Sequence, residues 1–320
     1  MSGVLQGSVL GPVLFILYIN DLPDKLNKTC SMYADDTKLF GPAEEHEQIQ
    51  TDLDLLVDWA DKWQMQFNAE KCSVLHLGNK NKRHQYNVRL HGSQQRVQLS
   101  SSEVERDLGV QIDCQLHFSK HTETQVNKAN RILGLIRRSY VHLDKVSMRF
   151  LFIALVRPHL EFANCAWGPY YEKDKTQIEN VLRRATKCIP GLHNLDYEER
   201  LKTIGIPSMS YRRIRGDLIE IYKYTHGLYN CTSPFVLNQN GSTRGHSYKL
   251  KKQFCSTSLR QNFFTIRAID TWNNLNDSVV NAKSLISFKN AIDQVFKDFR
   301  FSNNLSHPLR VSHTLPANTH

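Results

Sequence analysis

The sequence predicts an α+β chain, with antiparallel strands and packed helices over residues 1–120 and mainly helical structure beyond. Two patterns carry this reading. Short strand-like runs separated by polar turns crowd the first 120 residues, and apolar stripes at spacings of three and four dominate the rest. A third observation marks the same border. Residues 1–120 hold 12 Lys/Arg against 16 Asp/Glu, whereas residues 121–320 hold 29 against 15. The net charge therefore passes from −4 to +14. Such a balance predicts carboxylate chemistry first and phosphate holding second.

Each element has a local reason. Pro12 suits the first turn of a helix, because its fixed φ is already helical. Val13 to Leu22 then reads as a largely buried helix ended before Pro23. Thr29–Tyr33 and Thr37–Phe40 are short strands, and Tyr33-Ala34-Asp35-Asp36 between their cores reads as a hairpin tip. The apolar stripe Ile49, Leu53, Leu56, Ala60, Trp63 and Phe67 predicts a helix. Ser73–Leu77, Asn87–Leu90, Arg96–Leu99 and Leu108–Ile112 are strand-like. Beyond residue 120, Val126, Ala129, Leu133, Ile136 and Tyr140 form one helical stripe. Further helices are expected over Val146–Val156, ending before Pro158, and over Asp174–Cys188. Asp196 and Glu199 have capping-box spacing. Ser208 would cap a helix to His226, with Gly227 as its stop. A polar loop over 230–248 precedes helices at Leu259–Asn273 and Ser284–Phe299. The tail from Ser302 lacks apolar periodicity and reads as disordered.

Composition excludes several classes. The 320 residues, 40% of them hydrophobic, can bury a core, and a net charge of +10 favours polyanionic partners. Seven cysteines lie far apart with no C-x-x-C, which argues against a zinc site and a disulfide framework. A reducing compartment, nucleus or cytoplasm, fits. The longest apolar run, Val9 to Ile19, is shorter than the roughly 20 residues of a membrane span, and no signal-peptide pattern opens the chain.

The sharpest chemical feature is the Asp35–Asp36 pair. Adjacent carboxylates repel, and two-metal phosphoryl transfer needs such oxygen ligands. The dipeptide by itself is more often simply what an exposed turn contains. The basic half carries Arg137–Arg138, Arg183–Arg184–Lys187, Arg212–Arg213–Arg215 and Lys249–Lys251–Lys252 on expected helices or their ends. Any single cluster can be a solvated face, but four within an excess of +14 favour nucleic acid. Phe263, Phe264 and Trp272 could stack on bases, although core packing explains aromatic residues at helical spacing. His117, His121 and His159 lack metal-ligand spacing and read as structural or surface residues.

Longer blocks add a family resemblance. Gln6-Gly7-Ser8-Val9-Leu10-Gly11-Pro12-Val13-Leu14-Phe15, Tyr18-Ile19-Asn20-Asp21-Leu22-Pro23 and Tyr33-Ala34-Asp35-Asp36-Thr37 resemble the palm of a reverse transcriptase from a non-LTR retrotransposon. The first block resembles motif B and the YADD block motif C. Trp63, Phe67-Asn68 and Lys71-Cys72 resemble motif D, and Arg106-Asp107-Leu108-Gly109-Val110 through His121 resembles the segment after the palm strands. Arg157-Pro158-His159-Leu160-Glu161, Trp167 and Arg183-Arg184-Ala185-Thr186-Lys187 resemble the thumb of jockey-like elements. Arg244-Gly245-His246, Asn262-Phe263-Phe264, Arg267, Trp272-Asn273 and Phe288-Lys289 resemble their closing module. Leu5 departs from the family's proline.

The resemblance implies a partial palm over 1–120, a helical thumb over 121–229, a C-terminal helical module over 230–299 and a tail over 300–320. It implies RNA-directed DNA synthesis on an RNA template and DNA primer, by two-metal phosphoryl transfer. Asp35 would ligate Mg²⁺, or alternatively Mn²⁺, with support from Asp36. Tyr33 and Ala34 would shape the turn near the primer end, and Gln6, Gly7 and Ser8 would lie near template and nucleotide. Lys71 would serve the leaving pyrophosphate, while a solvated Lys beside a strand explains it as well. Arg137, Arg138, Arg183, Arg184, Lys187, Arg212 and Arg213 would hold nucleic acid. The family's third metal-binding Asp, in motif A, precedes motif B, as do the fingers and an endonuclease. The chain is therefore expected to be a polymerase fragment inactive alone. The alternatives are a non-enzymatic nucleic-acid-binding remnant and an enzyme completed by another chain.

Overall fold

The computed structural model describes residues 7–140, 142–238 and 245–302. The chain divides into two compact units, residues 1–105 with 113–116, and residues 106–112 with 117–320. Among the described residues, mixed helices and two-stranded sheets make up the first unit, and helices dominate the second.

In the first unit, helix α1 (Gly11–Ile19) starts with Pro12 in its first turn. It is not the largely buried helix expected. Val13, Leu14, Ile16 and Leu17 are exposed, Leu17 to 69%, and Ile19 alone is buried. A short helix that is apolar all round has more apolar surface than one core flank covers. The helix ends at Ile19 and a 3₁₀ turn, Pro23–Lys25, follows. Strands β1 (Thr29–Tyr33) and β2 (Asp36–Phe40) pair antiparallel, from Thr29 opposite Phe40 to Tyr33 opposite Asp36. Helix α2 (His46–Lys62) stops at Trp63, so the apolar stripe outruns its helix and Phe67 packs from the following loop.

α2 lies between two small cores. Leu56, Trp59 and Ala60 pack with Ile19, Leu22, Met32 and Leu39, while Val57 packs with Tyr86, Val88 and Leu99. Strands β3 (Ser73–Leu75), β4 (Asn87–Arg89), β5 (Arg96–Gln98) and β6 (Ser100–Ser102) are each three residues long. β4 and β5 pair antiparallel, but β3 and β6 pair parallel, which corrects the expectation of antiparallel strands throughout. Their separation in sequence permits a crossover, and alternation alone cannot distinguish strand direction. β7 (Val104–Asp107) and β8 (Val110–Asp113) form the last two-stranded sheet.

In the second unit, α3 (Ser119–Ser139) buries Val126, Ala129, Leu133 and Ile136, as its stripe predicts, while Tyr140 is exposed at the C-cap. α4 (Lys145–Leu151) runs through a π-turn (Phe152–Val156) into α5 (Arg157–Glu161). The helix therefore passes Pro158 instead of ending before it. Arg157 N–H donates to Phe152 O, five residues back, and this widened turn spares the proline ring the usual clash. α6 (Asn164–Trp167) and α7 (Glu172–Lys187) follow. α8 (Tyr197–Ile204) has the complete capping box of Asp196 and Glu199. Ser208 Oγ caps α9 (Met209–Thr225), and Gly227 follows at φ 66°. The expected helix at Leu259–Asn273 is broken into α10 (Ser258–Gln261), α11 (Phe264–Arg267) and α12 (Ile269–Asn273). Asn262 and Ala268 end the first two pieces, which lets Phe264, Ile269 and Trp272 reach one core. α13 (Asp277–Val280) precedes α14 (Leu285–Val295), capped by Ser284.

Two cores hold this unit. One joins α3 and α7 through Leu133, Phe152, Trp167, Val181 and Leu182, and the other gathers Leu218, Ile221, Trp272, Phe288 and Phe296. Trp272 is fully buried and donates to Tyr248 O at 2.8 Å, so it packs the core. The tail, expected to be disordered, lies outside the described residues from 303 onward, as do positions 239–244 of the polar loop.

Candidate active site and nucleic-acid interface

The β1–β2 hairpin closes with a two-residue turn, Ala34-Asp35. Ala34 has φ 53°, and a positive φ at the first central position is what turns compatible with strand twist require. Tyr33, Ala34, Asp35 and Asp36 are all exposed. Period-two alternation puts Met32 and Leu39 on the core face and Tyr33 and Asp36 on the opposite one. The hairpin thus presents two carboxylates and a phenol ring, Tyr33 being 65% exposed, at one tip.

Both ends of the link before β1 are tied to α2. Asp52, fully buried, accepts from Asn27 N at 3.0 Å, Asn27 Nδ2 at 2.9 Å and Lys28 N at 2.7 Å. Trp59 Nε1 donates to Asp21 Oδ1 at 3.1 Å. Lys28 also pairs with Glu45. A buried carboxylate satisfied by three donors holds its partners rigidly, because losing one leaves a desolvated charge. Asp52 was not singled out in the sequence, although an Asp one residue before Leu53 of an apolar stripe is a signal for it.

The other expected site residues are dispersed. Gln6 lies outside the described residues. Gly7 has φ 87°, and Ser8 Oγ accepts from Gly11 N at 3.0 Å, holding the start of α1. Lys71 is exposed at the end of a 3₁₀ turn, Ala69–Lys71. Among the described residues, no group of three or more His, Cys, Asp and Glu side chains is placed to hold a metal ion. No helix among them is long and apolar enough to cross a membrane.

The basic clusters differ sharply. Arg137 and Arg138 are exposed on the last turn of α3. Arg183, Arg184 and Lys187 line a groove of about 540 Å³ beside α8. Arg212 instead forms a bidentate pair with Glu161, both bonds 2.6 Å, and Arg215 binds Asp293 at 2.6 and 3.1 Å. Arg213 donates to Ser210 Oγ at 3.1 Å, and burial lowers its pKa from the ordinary arginine value. Lys252 pairs with Asp270. Arg267, taken from the sequence only as part of a motif, binds Asp217 at 2.8 and 2.9 Å and also donates to Asn262 O, Asn164 O and Cys165 O. His121, read from the sequence as structural or surface, is buried against Trp167, with ring centroids 4.8 Å apart, and accepts from Gln111 N at 3.1 Å. Burial, with Lys128 nearby, pushes its pKa down to about 4.

The chain is similar to several known proteins over part of its length. Residues 1–133 match the reverse transcriptase (RNA-dependent DNA polymerase) family. The RNA-directed DNA polymerase from mobile element jockey of Drosophila funebris is 32% identical over 210 residues, 59% of this chain and 22% of that protein. The jockey polymerase of Drosophila melanogaster is 31% identical over 147 residues, 41% of this chain and 15% of that protein. A probable RNA-directed DNA polymerase from transposon X-element of Drosophila melanogaster is 25% identical over 204 residues, 59% and 22% of the two chains. The chain thus spans less than a quarter of the length of these relatives. No solved structure matches it. The YADD turn lies inside the matched segment, and over part of its length the chain is similar to RNA-directed DNA polymerases of jockey mobile elements.

Proposed function

We propose that this chain carries the catalytic turn and the nucleic-acid-holding region of an RNA-directed DNA polymerase acting on an RNA template and a DNA primer. The observation that carries the proposal is the tight Tyr33-Ala34-Asp35-Asp36 hairpin, exposed at its tip and tethered to α2 through Asp52. In this reading residues 1–120 are palm, 121–229 thumb and 230–299 a closing module, and the compartment is nucleus or cytoplasm.

Hard oxygen ligands at an exposed tip suit Mg²⁺, or alternatively Mn²⁺, which keeps several waters and takes one or two carboxylates plus substrate phosphates. Asp35 and Asp36 would hold the ions, which when bound supply charge neutralisation for phosphoryl transfer. Tyr33 and Ala34 shape the turn against the primer end. Gly7, without a Cβ, leaves room for template and incoming nucleotide, and Ser8 anchors that segment to α1. Gln6 completes the template contact. Lys71 provides a proton or positive charge for the leaving pyrophosphate. The exposed Arg137, Arg138, Arg184 and Lys187 and the half-buried Arg183 meet phosphates. Arg212 and Arg213 act indirectly, by holding α9 in place.

The test is extension of a primed RNA template by the chain, alone and with a polypeptide supplying a third metal-binding Asp. Any extension by the chain alone should vanish in Asp35→Asn. Extension in the supplemented reaction should vanish in Asp35→Asn. Extension indifferent to that substitution would remove the hairpin from the chemistry. Duplex binding that persists while no supplement restores synthesis would favour a non-enzymatic binding remnant.

A further inference from the structure

We propose that the groove between α7 and α8 is the chain's main seat for the sugar–phosphate backbone of duplex nucleic acid, read by charge and not by base. The proposal rests on the nucleic-acid reading above and assigns its location. The groove is lined by Asn180, Arg183, Arg184, Lys187, His193 and Arg200, together with Asp196 and Tyr197. Its four cations face one carboxylate, and Asp196 is already occupied in capping the α8 N-terminus. None of the four cations forms an ion pair among the described residues. The contrast with Arg212, Arg215 and Arg267, each bound to its own Asp or Glu, is internal to the same unit.

Arg200 is the strongest part of the case. It is only 4% exposed, and its partners are neutral, Thr186 Oγ1 at 3.0 Å and Leu195 O at 2.5 Å. Burying a cation without a counter-ion is costly unless something compensates it. Helix electrostatics account for Arg184 and Lys187, which lie in the last turn of α7 where cations are favoured. They do not account for Arg200 on α8, nor for Arg183, one turn back from Lys187 on α7. An anion in the groove would compensate both.

The ligand class follows from the walls. Arg183 lies over the Tyr197 ring at 4.0 Å and Arg200 at 5.5 Å, so the ring holds two guanidiniums in set positions. A pre-positioned guanidinium fork matches phosphate oxygens. Tyr197 itself is buried, and its hydroxyl donates to Glu179 Oε1 at 2.6 Å. With the Tyr197 ring covered by guanidiniums, His193 is the one other ring in the groove's lining, short of the run of aromatic faces that a single-strand platform uses. Arg183, Arg184 and Lys187 spread along about 6 Å of helix, given a rise of about 1.5 Å per residue. Spread cations with an open groove fit a chain of phosphates better than one small anion.

The experiment measures binding of the full chain to a short labelled RNA–DNA duplex across a salt series. The variants are Arg183→Gln/Arg184→Gln/Lys187→Gln and a charge-matched control, Lys62→Gln/Lys80→Gln/Lys82→Gln. Removing three phosphate contacts should flatten the log–log salt slope by about 2–3 and weaken low-salt binding at least about tenfold. The control should shift the slope by less than about one. Thermal melting verifies that both variants fold. If the groove triple misfolds, Lys187→Gln alone must still flatten the slope by about 0.9. Parent-like binding by a folded groove variant would overturn the assignment while leaving duplex binding elsewhere intact. Failure of the parent to bind duplex would overturn both readings. Inorganic phosphate should displace the duplex no better than chloride at equal ionic strength, and specific displacement by phosphate would identify a small-anion site and overturn the proposal.

Discussion

Arg183, Arg184 and Lys187 on α7 and Arg212, Arg213 and Arg215 on α9 are equally basic runs in opposite electrostatic states. On α9, Glu161 and Asp293 reach in from α5 and α14 and hold Arg212 and Arg215 in two-point contacts. On α7, Arg183, Arg184 and Lys187 form no ion pair among the described residues, and they line an open groove. A run of arginines is therefore neither structural nor ligand-binding by composition. The segments that fold against it decide, because a carboxylate within about 4 Å removes most of the field that an anionic ligand would feel.

The largest expected effect breaks the compensated side. Asp217→Asn leaves Arg267 inside the fold with its charge unpaired, and should cost about 3–5 kcal/mol of unfolding free energy. Arg184→Gln removes an exposed, unpaired charge and should change stability by less than about 0.5 kcal/mol. Urea unfolding of the two variants measures the contrast directly. Similar losses in both would mean that the ion pairs do not distinguish the two regions.

A second effect, smaller, comes from His121, which is buried with no carboxylate partner to favour its charge. Its folded pKa of about 4 lies below the unfolded value of about 6.5. The unfolded chain therefore binds more protons in between, and the neutral imidazole's contribution, complete above pH 6.5, is lost as pH falls toward 4. After allowance for solvent screening the loss should be about 1–2 kcal/mol. Comparing unfolding at pH 7 and pH 4.5 in the parent and in His121→Gln isolates it. A variant with the same acid sensitivity as the parent would clear His121 of that role.

The smallest effect sharpens the comparison at the opposite sign of charge. Asp35 and Asp36 are like charges at one exposed tip, and relieving their repulsion should leave the melting temperature of Asp35→Asn unchanged or slightly raised. Millimolar Mg²⁺ should stabilise the parent little, whereas a site filled at about a hundred times its Kd would add about 2.7 kcal/mol. A clear Mg²⁺-dependent rise in the parent that disappears in Asp35→Asn would show a competent metal site in this chain.

Sequence alone was enough to place the hairpin, α2, α3, α7 and the caps of α8 and α9, since each depends on spacing or on a residue three positions away. The Tyr33-Ala34-Asp35-Asp36 tip was legible for the same reason, as a short block in an ordered set of blocks. Tertiary structure alone decided the parallel pairing of β3 with β6, the exposure of α1, the passage of a helix through Pro158, and the division of 258–273 into three short helices. It also decided that Asp52 anchors the hairpin, that Glu161 and Asp293 silence two arginines, and that Arg200 and Tyr197 join the groove. The physical reason is range. Dihedral preference, capping and periodicity act within a few residues of chain, but burial and Coulombic compensation depend on which distant side chain arrives within a few ångströms.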